Sequence, residues 1–426
     1  MTTQENQKPA SSSPDPAAVG RDETAGRSIR VCFISPLGYG LYNPEGKYPF
    51  GGAEVQFYLL SRELARDPAY AVTVLTTVNE PGGTEACGRV TVIKRQARGR
   101  LAEGPRAARL LSLDAWRGYW ASFREMRNLF REIDADVYVH GGAGVEVGAY
   151  ALICRLLRRR FVYMVVSSAD LDQPYGKVEG TLKRLYPLGL RLAHAIICQT
   201  EEHQASLKAR YGRDSVLVRT GYEIPDRLPE TALSGGKAGL LWVGRGHPLK
   251  QPDVFLDLAK RLPKERCTML IMKDERHADL WQRVLARAAA LKNVTVREAV
   301  LPWDEVDRLF TDAKLFVNTS TYEGFPNTFV QAAMRATPIL SWAVDPDRVL
   351  ARHRIGLCAG RSFERLAVDA ERLCAAEPQR AEMGRRAWEY AKGHHDLHRS
   401  VEELKALVQS LGPHARHERA AQAPDE

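Results

Sequence analysis

The sequence has no apolar run approaching the roughly eighteen residues of a membrane span. No apolar core follows Thr2-Thr3-Gln4-Glu5-Asn6-Gln7-Lys8, so a signal peptide is not expected. The seven cysteines are scattered, odd in number and free of CxxC pairs. That weighs against a disulfide framework or a zinc ribbon and suits reduced thiols in a cytosol. No G-x-G-x-x-G with an acidic partner about twenty residues on follows the first strand, which disfavours an NAD-dependent Rossmann enzyme. No DxD stands in an evident carboxylate shell, so no metal is expected. The net charge of +9 is moderate, and the basic residues cluster in one segment rather than along a recognition motif. No nucleic-acid partner is therefore expected, although an anionic ligand or membrane surface would suit the charge.

What is present is a long α/β pattern. At 426 residues the chain has room for two or three domains with real cores. Residues 1–27 are rich in Ser, Pro, Ala and Gly and read as a disordered tail, as do 412–426. A buried strand is expected at Ile29-Arg30-Val31-Cys32-Phe33-Ile34-Ser35, then Gly51-Gly52 ahead of a helix, then a strand at Ala71–Leu75. That βαβ order implies a parallel sheet whose crevice lies at the strand C-termini. Further strands end at His140-Gly141-Gly142, at Ser167-Ser168-Ala169-Asp170 and before Thr200, which is a plausible N-cap. Pro225, Pro229 and Ser234-Gly235-Gly236 signal a linker, giving an N-terminal domain over 28–228 and a C-terminal one over 236–396. A final helix covers 397–411.

Residues 94–131 hold ten Lys or Arg against three acids, with Trp116, Tyr119, Trp120, Phe123 and Phe130 among Arg106, Arg109, Arg117, Arg124 and Arg127. Two readings stand: a helix lying on an anionic bilayer, or an amphipathic helix packing its aromatic face on its own domain, the latter preferred.

The stretch that organises the rest is Ser320-Thr321-Tyr322-Glu323-Gly324-Phe325-Pro326-Asn327-Thr328-Phe329-Val330-Gln331. An apolar strand at 314–318 enters it and a helix leaves it, with Gly324 giving the turn backbone freedom and Pro326 fixing the helix entry. Strand, turn and helix N-terminus leave backbone amides unpaired and make a seat for anions. Upstream, Gly244-Arg245 and Lys250 place two cations five positions apart at a strand end and the approach to a helix. A planar guanidinium and a point charge suit adjacent oxygens of one diphosphate.

Glu323 to Gln331 resembles the E-x7-E element of retaining glycosyltransferases of family 4, which have the two-domain GT-B fold. Val243-Gly244-Arg245 with Lys250 resembles that family's strand-end VGR and lysine, and Gly51-Gly52-Ala53-Glu54 its GGxE loop. The resemblance spans roughly residues 29 to 411. It implies two doubly wound Rossmann-like domains facing across a cleft, acceptor-side first and nucleotide-sugar-side second, with the last helix bracing the first domain. It casts Glu323 against the donor sugar, Gly324, Phe325, Asn327 and Thr328 against sugar and phosphate, Gly51 and Gly52 facing donor phosphate and acceptor, and Met272 near the base. Arg245 and Lys250 would take the diphosphate in place of a metal. Gln331 stands where the family has a second glutamate. As a neutral acceptor it would give the ribose about 1 kcal/mol rather than the 1.5–3 of a charged one. The histidine that many members carry after the strand at 161–166 is replaced by Ala169. Asp170 could hold a sugar or acceptor hydroxyl, or be a turn or N-cap carboxylate; His140 is a further candidate for the crevice.

The implied reaction moves a hexosyl group from a nucleotide-diphosphate sugar, such as a UDP or GDP conjugate, to an acceptor hydroxyl with retention and without a cofactor. The acceptor would be a cell-envelope or exopolysaccharide glycan, free or lipid-linked, and the setting cytoplasmic with peripheral contact at an anionic inner membrane. The alternatives are another GT-B activity, such as an epimerase, and an inactive nucleotide-sugar-binding or membrane-docking protein.

Overall fold

The computed structural model describes residues 27–46, 48, 50–97, 113–172, 184–228, 236–298 and 302–412, with side chains of the helix at 113–133 described from Arg117 onward. The two tails, but for Arg27 and Gly412, lie outside the described residues, as do Arg106, Arg109, Pro229, Ser234, Gly235 and the side chain of Trp116.

Two sheets carry the fold. The first comprises β1 (Ile29–Ile34), β2 (Tyr70–Val78), β3 (Gly83–Cys87), β4 (Val90–Gln96), β5 (Val137–Gly141), β6 (Arg160–Val165), β7 (Ala195–Cys198) and β8 (Val216–Leu217). Their order is β3-β4-β2-β1-β5-β6-β7-β8, with every pair parallel except the hairpin β3–β4. Its helices are α1 (Gly52–Leu64), α2 (Leu113–Ile133), α3 (Glu146–Leu156), α4 (Leu185–Leu192) and α5 (Glu201–Tyr211). The second sheet holds β9 (Leu240–Arg245), β10 (Cys267–Met272), β11 (Val294–Arg297), β12 (Leu315–Asn318), β13 (Ile339–Ser341) and β14 (Gly356–Cys358). These run in the order β11-β10-β9-β12-β13-β14, all parallel. Around it lie α6 (Pro252–Arg261), α7 (Ala278–Ala289), α8 (Trp303–Asp312), α9 (Asn327–Met334), α10 (Phe363–Ala375) and α11 (Glu377–His394), and α12 (Leu397–Ser410) ends the described chain.

Parallel strands covered on both faces need near-continuous apolar runs. Val31, Cys32 and Phe33 in β1 and Leu315, Phe316 and Val317 in β12 supply them, all at 0% exposure. Strand order reverses at β1/β5 in the first sheet and at β9/β12 in the second. Crevices open at such switch points. The loops that leave β1, β5, β9 and β12 all face one shared cleft.

The crossover α12 belongs to the far sheet's packing. Leu397, Val401, Leu404 and Val408 bury against Leu60 and Leu64 of α1, and Lys405 pairs with Asp67 at 2.9 Å. Where the chain returns to the first sheet, Tyr222 bridges Asp396.

The helical reading of 94–131 is corrected in its first part. Lys94 to Gln96 end strand β4, and the helix begins at Leu113. β3 escapes a periodicity reading because it is short and none of its residues is buried, whereas β4 buries Val90 and Val92 in alternation. Within α2, Met126 and Phe130 are buried, and Phe130 stacks on Tyr138 at 4.2 Å between ring centroids. Trp120 remains 61% exposed. No helix among the described residues is long and apolar enough to cross a membrane.

Candidate active site

A cavity of about 840 Å³ lies between the sheets, lined by loops from both. Two hydrogen-bonded loops of the second sheet form one wall. Thr319 accepts from the Trp242 indole at 2.8 Å and donates to the Lys250 carbonyl at 2.6 Å. The Thr321 amide donates to the Leu249 carbonyl at 2.9 Å. These bonds tie the loop after β9 to the loop after β12, and the consequence is an ion pair between Lys250 Nζ and Glu323 Oε1. Arg245, at the end of β9, reaches the opposite wall, where Nη2 donates to the Phe50 carbonyl at 2.8 Å. Both cations sit at one cavity, each resting on a protein acceptor that an anion can replace.

The opposite wall is the Gly51-Gly52 loop ahead of α1. Glu54 turns back to accept from the Gly51 amide at 2.9 Å, the one half of a capping box that a glycine N-cap permits. The side chain of Asn327 donates to the Gly52 carbonyl at 2.7 Å, which brings the N-terminus of α9 against that loop. Gly51, Gly52, Asn327 and Thr328 thus place two helix N-termini around one volume, a positive environment before any side chain is counted.

Gly324 has a different reason from the one its sequence suggests. It is absent from the positive-φ positions, so backbone freedom is not its purpose. A Cβ there would lie 2.4 Å from the Val166 carbonyl oxygen. The glycine lets the loop after β12 dock on the end of β6, where the Ser168 amide donates to the Glu323 carbonyl at 2.9 Å. Phe325 is held by the crossover: its ring lies 4.3 Å from that of His395. His395 Nδ1–H donates to the Thr220 carbonyl at 2.7 Å and Nε2 takes the Tyr390 hydroxyl at 3.2 Å. Burial pushes this imidazole down to about 3 from 6.5. The unfolded chain therefore takes the proton first, and stability falls as pH drops from 6.5 toward 3. In urea titrations between about pH 6.5 and 4.5, the stability gap between wild type and His395→Gln should shrink by about 1.4 kcal/mol per pH unit. A gap independent of pH would show that His395 does not titrate this way.

Arg245, Lys250, Glu323, Gly51, Gly52, Gly244, Met272, Gly324, Phe325, Asn327, Thr328 and Gln331 all line the cavity. Asp170 does not, so a catalytic place for it against a sugar or acceptor hydroxyl gives way to the turn carboxylate, the other reading. Its side chain is fully buried, with Oδ2 accepting the amides of Val166 and Ser167 at 3.1 and 3.0 Å. It is the turn carboxylate that ends β6. His140 is also outside the cavity lining: Nδ1–H donates to the Ile34 carbonyl at 3.1 Å, and burial lowers its pKa. The residues that sequence reasoning missed are connectors: Thr319 and Trp242 between the loops, Ser168 across the cleft, and Gln56 in α1. Their partners lie too far along the chain to leave a local signal.

His247, Asp274 and His277 group at the cavity's rim. Both Asp274 oxygens are taken by the Arg276 guanidinium at 3.1 and 3.0 Å, and His247 Nδ1 accepts the Leu249 amide at 3.1 Å. As arranged, that set favours a neutralised ion pair over a cation site.

Residues 50–223 match the family model described as Glycosyltransferase Family 4, and residues 237–375 match that described as Glycosyl transferases group 1. The chain is a family 4-like GT-B glycosyltransferase. Among solved structures, sucrose-phosphate synthase from Thermosynechococcus elongatus superposes with a TM-score of 0.71 at 15% identity, covering 90% of this chain and 99% of that one. The Anabaena protein Alr3699/HepE in complex with UDP and glucose gives 0.66 at 15%, covering 90% and 100%. A structure of trehalose-6-phosphate from E. coli bound with UDP-2-fluoro glucose gives 0.67 at 11%, covering 90% and 100%. At such identities the likeness concerns the fold. No curated protein sequence matches this glycosyltransferase. The family models cover both walls of the cleft, from the Gly51-Gly52 loop to the helix that follows Glu323.

Proposed function

We propose that this glycosyltransferase moves a hexosyl group from a UDP-sugar to an acceptor hydroxyl with retention at the anomeric carbon, using no metal. The observation that carries the proposal is the convergence of Arg245, Lys250 and the N-terminus of α9 on one cavity beside the Gly51-Gly52 loop. UDP is favoured among nucleotides because the Anabaena and E. coli structures with this fold hold UDP and a UDP-sugar analogue.

The bond between the anomeric carbon and the diphosphate oxygen breaks as the acceptor oxygen attacks from the same face. The acceptor proton passes to the leaving phosphate oxygen, so no protein nucleophile is required. Glu323 fits that scheme, since its carboxylate neutralises Lys250 and its carbonyl is held by Ser168. Charge that develops on the diphosphate meets Arg245, Lys250 and the amides of Asn327 and Thr328. Gln331, inside α9 and 8% exposed, is the neutral partner for ribose hydroxyls.

We assign the acceptor to a cell-envelope glycan and the setting to the cytoplasmic face of an anionic membrane. Exposed Trp120 and Tyr119 beside Arg124 and Arg131 on α2 support that contact. The test is thermal unfolding with UDP, GDP and ADP, repeated with phosphatidylglycerol vesicles. A ligand at a hundred times its Kd adds about 2.7 kcal/mol. UDP alone should raise the melting temperature, and the protein should sediment with anionic but not neutral vesicles. No shift with any of the three would overturn the donor reading; a shift without turnover of UDP-sugars would favour the binding-protein alternative.

A further inference from the structure

Gln56 is a buried amide on α1, 2% exposed, in a cavity wall otherwise chosen for phosphate. It joins two places that have no other reason to be linked. Oε1 accepts the Gly221 amide at 3.0 Å, and Nε2 lies 3.5 Å from the Gly221 carbonyl. The same Nε2 donates to Asn327 Oδ1 at 2.8 Å. Asn327 Nδ2 in turn donates to the Gly52 carbonyl at 2.7 Å.

The chain of bonds therefore has one direction: Gly221 N–H to Gln56, Gln56 to Asn327, Asn327 to the Gly52 carbonyl. Neither amide can flip without setting like atoms against a backbone group at its end, and polarised chains of this kind strengthen one another. Its ends are informative. Gly221 lies in the crossover, where a Cβ would come within 2.9 Å of Ser400 Oγ and 3.1 Å of Leu397 Cα, at the point where α12 returns. Asn327 is the first residue of α9, whose free amides face the cavity.

We propose that Gln56 is a positioning residue that couples the interdomain crossover to the anion-binding N-terminus of α9, so that the amide cradle is completed only when the crossover is seated. A glutamine is needed because one side chain must both accept from Gly221 and donate to Asn327. Its consequence for nucleotide binding rests on the donor reading above; its consequence for backbone protection does not.

The test is hydrogen–deuterium exchange on the full chain, with and without UDP, for wild type, Gln56→Leu, Gln56→Glu and Asn327→Leu. Gln56→Leu should speed exchange about tenfold in peptides over 219–223 and, across the cleft, over 327–334, and should raise the UDP Kd about tenfold, the scale of losing one buried hydrogen bond. Asn327→Leu should loosen 219–223 although it does not touch Gly221. The double variant Gln56→Leu/Asn327→Leu should bind UDP no worse than the weaker single one. Gln56→Glu keeps the acceptor for Gly221 and loses the donor to Asn327, so it should loosen 327–334 as far as Gln56→Leu does and 219–223 less, about as far as Asn327→Leu. Faster exchange confined to α1 and its own sheet, or additive losses, would overturn the coupling. Should the wild type fail to bind UDP, the donor reading falls while the exchange pattern still decides the coupling.

Discussion

Arg245→Ala is expected to lower turnover by about 10²–10³-fold, the cost of removing one preorganised donor to developing negative charge. The guanidinium stands at the end of β9 with Nη2 on the Phe50 carbonyl, facing the Gly51-Gly52 loop. Lys250 cannot substitute for it, because it is a point charge on the loop after β9, paired with Glu323, and does not reach the Phe50 side of the cavity where Arg245 stands. The loss should appear in kcat and kcat/KM together, since the interaction strengthens as the diphosphate leaves. Arg245→Lys should recover little, because the planar fork that spans two phosphate oxygens is gone. The melting temperature without ligand should hardly move, since the residue lies on the cavity wall rather than in a core. Steady-state kinetics with a UDP-sugar checks this. A kcat within a few-fold of wild type would mean that the diphosphate does not lie at Arg245.

The sequence made the scaffold of this site legible because its signals are local. Apolar runs such as Val31–Ile34 and Leu315–Val317 announce buried parallel strands, and glycines after them announce the loops at the strand ends. The cleft residues, down to the pair Arg245 and Lys250, came from the resemblance to family 4 carried by the motifs on those loops. Three features were not legible, each for a physical reason. The edge strand β3 is short and polar, and no residue of it is buried to impose a period. Asp170 read equally as a crevice carboxylate or a turn one, and two amides three and four residues before it decide for the turn. The contacts across the cleft have no sequence trace at all. Asp347, with φ at 52°, accepts the amides of Glu201 and Glu202 at 3.0 and 2.9 Å and so caps α5 from the other domain. Its partners are 146 and 145 positions away. Such caps and the Gln56 bonds fix how the two halves of the site meet, and only the folded chain brings them together.

The same distinction sets the expectation for Gly324→Ala. A Cβ at this position would fall 2.4 Å from the Val166 oxygen, 2.9 Å from its carbon and 3.1 Å from Gln199 Oε1. Contacts of the first kind require backbone to move, and neither side is free. Val166 is fastened through its own amide to Asp170, and the loop after β12 is fastened by the bond from Ser168 to the Glu323 carbonyl. The cheapest relief is to break that bond and draw the loop off β6, which moves Glu323 and with it Lys250. A displacement near 1 Å at a reacting centre costs about 100-fold in rate. Turnover should therefore fall at least that far, while overpacking at the interface costs about 1–3 kcal/mol of stability. Because no left-handed conformation is involved, Gly324→Asn should do worse than alanine, although asparagine tolerates positive φ better. If backbone freedom were the reason for the glycine, that order would reverse. Hydrogen–deuterium exchange should be faster at Ser168 in the alanine variant than in wild type, and activity above a tenth of wild type would sink the close-approach account.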